Sequence, residues 1–152
     1  EYFADLQSRV SGPALAVLDE LSRQHPGLIR VEFRNFPLAF HPLSPLAHEA
    51  AMVAARHGKF WEFARYMLDH PDTLREQDLV ALAGKLGLSE AAFAADLQTH
   101  KYAPRVEADV NSGLGRGIRG SPAILVNGKR IDGVPSLQAL SELVNEVLIV
   151  QK

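Results

Sequence analysis

Cysteine is absent from all 152 residues. The chain therefore forms no disulfide, presents no thiolate nucleophile and supplies no cysteine ligand to zinc or to an iron–sulfur cluster. That absence says nothing direct about compartment. Long apolar runs are missing too. The longest, residues 14–18, 50–55 and 147–150, fall far short of the roughly 20 residues a membrane span needs. No charged n-region followed by an apolar h-region opens the chain, so no secretory signal is expected within these residues. Neither sign of charge dominates. Sixteen Lys and Arg against 18 Asp and Glu leave a net charge of -2, which gives no broad electrostatic footprint for nucleic acid or anionic lipid.

What is present suits one soluble domain with its own core: 47% apolar and 22% charged residues over a length that supports one domain and is short for two. Tyr2 and Phe3 favour a strand, and the abrupt start implies further strand residues upstream of Glu1. Leu15, Leu18 and Leu21 recur at helical spacing, and His25-Pro26-Gly27 ends that helix. Residues 28–33 alternate after their first member and predict a second strand. Residues 1–40 thus read as a βαβ crossover unit.

The middle, about 44–116, reads as a helical insertion. Ser44-Pro45 predicts a helix start with Ser44 as N-cap and Pro45 as the first helical residue. Phe60, Trp61, Phe63, Ala64, Met67 and Leu68 make a second apolar face, read as core packing. Thr73 with Glu76 resembles a capping box, Ser89 caps a short helix, and residues 101–114 predict another with Pro104 in its first turn. Residues 120–150 change period again. Residues 122–126 form an apolar strand, Asn127-Gly128 is the strongest hairpin signal, residues 129–132 return, and Ser136 caps a last helix. The fold class is α/β, βαβ then ββα, in a single domain over residues 1–152.

Several motifs point elsewhere and are set aside. Gly115, Gly117 and Gly120 spell G-x-G-x-x-G, but a helix precedes the run and a strand follows, the reverse of a dinucleotide site. Arg116, Arg119, Lys129 and Arg130 beside it read as a solvated rim. His48 and His57 stand nine residues apart, on opposite faces of one helix, and Met52 occupies the position where H-E-x-x-H would place its second histidine. His41 reads as a turn residue; His25, His70 and His100 read as solvated element ends. No metal and no cofactor are expected. No G-x-S-x-G elbow is present to support a hydrolase triad.

The element order and four local segments resemble the thioredoxin fold in its DsbA-like form. Residues 3–11, Phe-Ala-Asp-Leu-Gln-Ser-Arg-Val-Ser, are similar to the family's F-x-D-F-x-C-x-x-C. Residues 33–38 with His41-Pro42, residues 58–62 (Gly-Lys-Phe-Trp-Glu), and residues 117–122 with 126–128 resemble the segments that follow in the same order. The resemblance implies a thioredoxin-like fold, disulfide exchange as the family activity, and a cis proline at Pro122 facing the active turn. It also implies a site outside the cytoplasm, such as the bacterial periplasm or cell envelope.

The departure from the pattern decides more than the match. Ser8-Arg9-Val10-Ser11 stands where the family carries C-x-x-C. Disulfide exchange needs one thiolate to attack and a second thiol to resolve the mixed disulfide. A hydroxyl is far less acidic, and a serine pair has no reduction potential. Ser8 and Ser11 are read as structural caps for the helix that follows. Because Pro13 obstructs a regular helix from Ser8, the helix is expected to start near Ser11 or to have a distorted first turn. Three functions remain open. One is a redox-inactive domain binding an extended peptide or partner protein in a groove formed by Arg9, Val10, Ser121 and Pro122. A second is an active disulfide oxidoreductase whose cysteines were replaced by Ser8 and Ser11. A third is a glutathione-dependent transferase or isomerase using Ser8, against which Arg9 stands where proline is usual.

Overall fold

A computed structural model describes residues 1–150 of the chain. Its sheet is built from β1 (Tyr2–Ala4), β2 (Phe33–Asn35), β3 (Ala123–Val126) and β4 (Lys129–Asp132), in spatial order β2-β1-β3-β4. β1 and β2 are parallel, with Tyr2 opposite Phe33, and helix α1 (Ser11–Gln24) makes the crossover between them. β3 runs antiparallel to β1 and turns into β4 through Asn127 and Gly128. Both turn residues have positive φ, 46° and 91°, as a two-residue hairpin of the primed type demands.

Between β2 and β3 lie α2 (Ser44–Ala55), α3 (Phe60–Asp69), α4 (Glu76–Lys85), α5 (Glu90–Gln98) and α6 (Ala103–Gly115); α7 (Leu137–Val150) closes the chain. The mixed α/β architecture expected from the sequence is the one observed. Side chains alternate across the sheet, so successive residues of β1 enter different cores. Tyr2 and Ala4 join a large cluster with α1, α7 and the insertion, where Phe63, Met67, Leu79 and Leu97 are fully buried. Phe3 joins a smaller cluster with Phe36, Ile118, Ala123 and Leu125 on the opposite face.

Four local expectations are corrected. The second strand is Phe33–Asn35, not residues 28–33: alternation marks strand character, but the observed register pairs Tyr2, Phe3 and Ala4 with Phe33, Arg34 and Asn35. Leu43, not Ser44, is the N-cap of α2; Ser44 lies inside the helix and turns its hydroxyl to Asp5 instead. The capping box of α4 is shifted: the Asp78 carboxylate accepts the Arg75 amide at 3.0 Å, while Thr73 donates to the His70 carbonyl. At α1 the N-cap is Val10 and no side chain caps it, so neither Ser8 nor Ser11 serves as a helix cap. Ser89 and Ser136 do accept the amides of Ala92 and Ala139, as caps should.

Candidate functional site

β1 delivers the chain at Asp5 into a tight turn, residues 5–10, that leads directly into α1. Ser8 is buried at 5% exposure, its amide donates to the Asp5 carbonyl, and its hydroxyl accepts the Val10 amide at 3.4 Å. Ser11 is fully buried as the first residue of α1. Its hydroxyl lies 3.3 Å from the hydroxyl of Ser121, which in turn accepts the Asp5 amide at 2.8 Å. The Tyr2 phenol donates to the Ser11 carbonyl at 2.5 Å, and burial pushes that phenol's pKa well up. The structure thus brings the hydroxyls of Ser11 and Ser121 together, with Ser8 one turn back, its carbonyl accepting the Ser11 amide.

The Ser121–Pro122 peptide is cis. The Pro122 carbonyl accepts the Gly133 amide, but among the described residues no backbone group pairs with the N–H or C=O of Ser121. Arg9 projects outward and pairs with Asp72 at 2.5 Å, and Val10 is 47% exposed. Phe40 is 73% exposed and packs its ring against His41, 4.5 Å between centroids. Exposed Val10 and one unpaired main-chain edge therefore lie beside the serines.

The turn is held from beneath by groups that sequence reasoning passed over. The Asp5 side chain is fully buried and accepts four hydrogen bonds: from the Gln7 amide (2.8 Å), the Ser44 hydroxyl (2.6 Å), the Leu38 amide (2.7 Å) and His41 Nδ1 (2.8 Å). Gln7 then accepts the Leu43 amide. His48, weighed earlier only as a metal ligand, is fully buried and accepts the Leu6 amide on Nε2. That fixes its proton on Nδ1, which donates to Asn35 Oδ1 at 2.8 Å. Asn35 donates onward to Asp109 Oδ2 at 2.6 Å. Burial lowers the His48 pKa to about 4, so the imidazole is neutral near pH 7. His41 is likewise more than a turn residue. The Asp5 signal was present in the Phe-x-Asp segment; three of its four partners lie 33 to 39 residues away and left no local trace.

Sequence and structure comparisons bear on this frame. A family profile described as a DSBA-like thioredoxin domain matches residues 1–145. The chain belongs to the DSBA-like thioredoxin domain family. Among solved structures it is similar to a thioredoxin-like oxidoreductase from Silicibacter pomeroyi, with a TM-score of 0.85 at 20% identity over 96% of this chain and 83% of that one. It is also similar to BdbD from Bacillus subtilis, with a TM-score of 0.80 at 21% identity over 95% of this chain and 84% of that one. These likenesses show the thioredoxin-like fold. In sequence, the DSBA-like chain is 34% identical to Na(+)/H(+) antiporter NhaA 3 of Salinispora tropica over 143 residues, 93% of this chain and 22% of the antiporter. It is 29% identical to Na(+)/H(+) antiporter NhaA of Herminiimonas arsenicoxydans over 131 residues, 86% of this chain and 21% of that one. The chain spans about a fifth of the length of these relatives.

Proposed function

We propose that this DSBA-like domain holds an extended polypeptide or partner protein and does not exchange disulfides. The carrying observation is the pair of hydroxyls at Ser8 and Ser11, where the chemistry requires two thiols, beside a Ser121 main chain left unpaired. An incoming strand can pair with that free N–H and C=O, the mode of strand addition, while Arg9, Val10 and Pro122 wall the groove. Exposed Val10 favours an apolar side chain in the occupant.

Relatives named as Na(+)/H(+) antiporters contain a matching stretch as about a fifth of their length. That supports a place for the domain beside a membrane transporter. Family analogy supports an extracytoplasmic location. Among the described residues no helix is long and apolar enough to cross a membrane.

Two assays test the reading together. Insulin reduction by the unaltered chain stays at the blank rate, and calorimetric titration with an unfolded peptide saturates, with weaker binding for Val10→Asp. Turnover above the blank, or heats that never saturate, would overturn it.

A further inference from the structure

Several loops converge on Ser121, and contacts already on view tie them together. The turn 5–10 reaches it through the Asp5 amide, which donates to the Ser121 hydroxyl. The loop 70–75 is joined to that turn by Asp72 and Arg9. The loop 116–122 carries Ser121 itself, and 133–136 joins through Gly133, whose amide donates to the Pro122 carbonyl. Charge on these loops is lopsided, although the chain as a whole carries -2. Arg9, Arg75 and Arg119 are exposed, and Arg116 is paired with Glu1. The carboxylates of the same loops are Asp5 and Asp72. Asp5 is fully buried and its oxygens are taken by four donors, which leaves Asp72 as the exposed one.

Arg119 stands two residues before Ser121 and, among the described residues, meets no carboxylate. Its Nη1 donates to the carbonyls of Leu114 at 2.9 Å and Ile118 at 3.0 Å. Those bonds hold the guanidinium in place and leave Nε and Nη2 to an incoming acceptor. Arg9 is engaged with Asp72 at 2.5 Å, but each side chain is 73% exposed. A pair so open to water contributes little, so Arg9 can exchange Asp72 for another carboxylate at small cost. The planar fork of arginine suits a carboxylate better than any other partner a polypeptide offers.

We infer that the polypeptide held at Ser121 is acidic: an extended segment that brings Asp or Glu to Arg119 and Arg9 while an apolar residue meets Val10. This rests on strand addition at Ser121 and adds the charge of the occupant. An extended chain advances about 3.3 Å per residue, so a strand paired with Ser121 draws level with Arg119 about two residues further on. The same arginines disfavour a basic segment, which makes the charge a means of choosing between partners as well as of attracting one.

The test titrates the unaltered chain into fluorescein-labelled unfolded peptides that share one apolar pattern and carry Glu, Gln or Lys at the same two positions. Fluorescence anisotropy gives each affinity at low and at high sodium chloride. At low salt the Glu peptide is expected to bind about tenfold more tightly than the Gln peptide, and the Lys peptide more weakly than either. At high salt the three converge, because screening removes the difference. Arg119→Glu inverts the order of the Glu and Lys peptides. Asp72→Asn, which releases Arg9, strengthens the Glu peptide about two- to fivefold and leaves the Gln peptide unchanged. Equal, salt-independent binding of all three overturns the inference and leaves strand addition standing; binding of none overturns both. A preference for Glu that survives Arg119→Glu also overturns it, since the carboxylate is then read elsewhere. So does capture of phosphatidylglycerol vesicles in place of the Glu peptide, because a lipid surface would then be the partner.

Discussion

The Leu6 amide donates to Nε2 of His48 at 3.1 Å, tying the turn that presents the serines to a buried histidine 42 residues later in the chain. Leu6 has few other ways to satisfy that amide in a dry interior, and His48 can accept only while neutral. Burial sets the His48 pKa to about 4 in the fold, against an ordinary value near 6.5. Between those values the unfolded chain binds a proton that the folded chain refuses. Stability from this group is therefore complete above about pH 6.5 and is lost as pH falls toward 4, by about 3 kcal/mol in all. Urea unfolding at pH 7 and at pH 4.5 checks this. His48→Gln, which keeps an acceptor and a donor but cannot titrate, flattens the difference between the two pH values relative to the native chain.

Asp5 anchors the same turn through four accepted hydrogen bonds. Asp5→Ala leaves the Gln7 and Leu38 amides, the Ser44 hydroxyl and His41 facing no acceptor, and costs about 3–5 kcal/mol by chemical denaturation. Asp5→Asn retains one acceptor oxygen and is expected to cost less than Asp5→Ala. Equal stability of Asp5→Ala and the native chain would show that the turn holds without this carboxylate.

Gly113 and Gly115 sit two residues apart at the end of α6, on opposite sides of the helix, and separate two effects. A Cβ on Gly113 would stand 2.8 Å from Phe36 Cε2 and 3.1 Å from Phe3 Cε1, closer than packed atoms allow. Gly113→Ala pushes those rings aside and costs about 1–3 kcal/mol. A Cβ on Gly115 meets nothing, so Gly115→Ala is neutral or stabilising by up to about 1 kcal/mol through helix propensity. Thermal melts of the two variants distinguish the positions directly.

Restoring thiols tests whether chemistry alone is missing. The frame around positions 8 and 11 keeps the start of α1, the neighbouring Ser121 hydroxyl and the supporting Asp5. Ser8→Cys with Ser11→Cys is expected to acquire insulin reduction that each single variant lacks, since resolution needs the second thiol. An inactive double variant would mean the frame has drifted along with the sulfur. Glutathione titrated into the native chain is expected to give no saturable heat; binding there would favour the transferase reading of Ser8.

Short-range chemistry was legible in the sequence and long-range pairing was not. Asn127-Gly128 announced its hairpin because the turn conformation depends on those two residues alone. Residues 28–33 announced a strand by alternation, but alternation does not encode register, and the ladder to β1 runs over Phe33–Asn35. Ser44-Pro45 announced a helix start, yet the Ser44 hydroxyl bonds to Asp5, 39 residues earlier in the chain, rather than to its own helix. Motif and order pointed to Ser8, Ser11, Ser121 and Pro122 as one neighbourhood, and the structure sets the Ser11 hydroxyl beside that of Ser121. Its support by Asp5, His41, Asn35 and His48 was not visible, since each of those contacts spans a sequence distance that no periodicity encodes.

Amide chemical shifts of the isotope-labelled, unaltered chain during titration with an unfolded peptide test the binding claim most directly. Resonances of Val10, Ser121 and their neighbours are expected to move and saturate together, while those of Glu32 and Val144 stay still. A spectrum unmoved around Ser121 at saturating peptide, or shifts confined to other faces, would contradict the account.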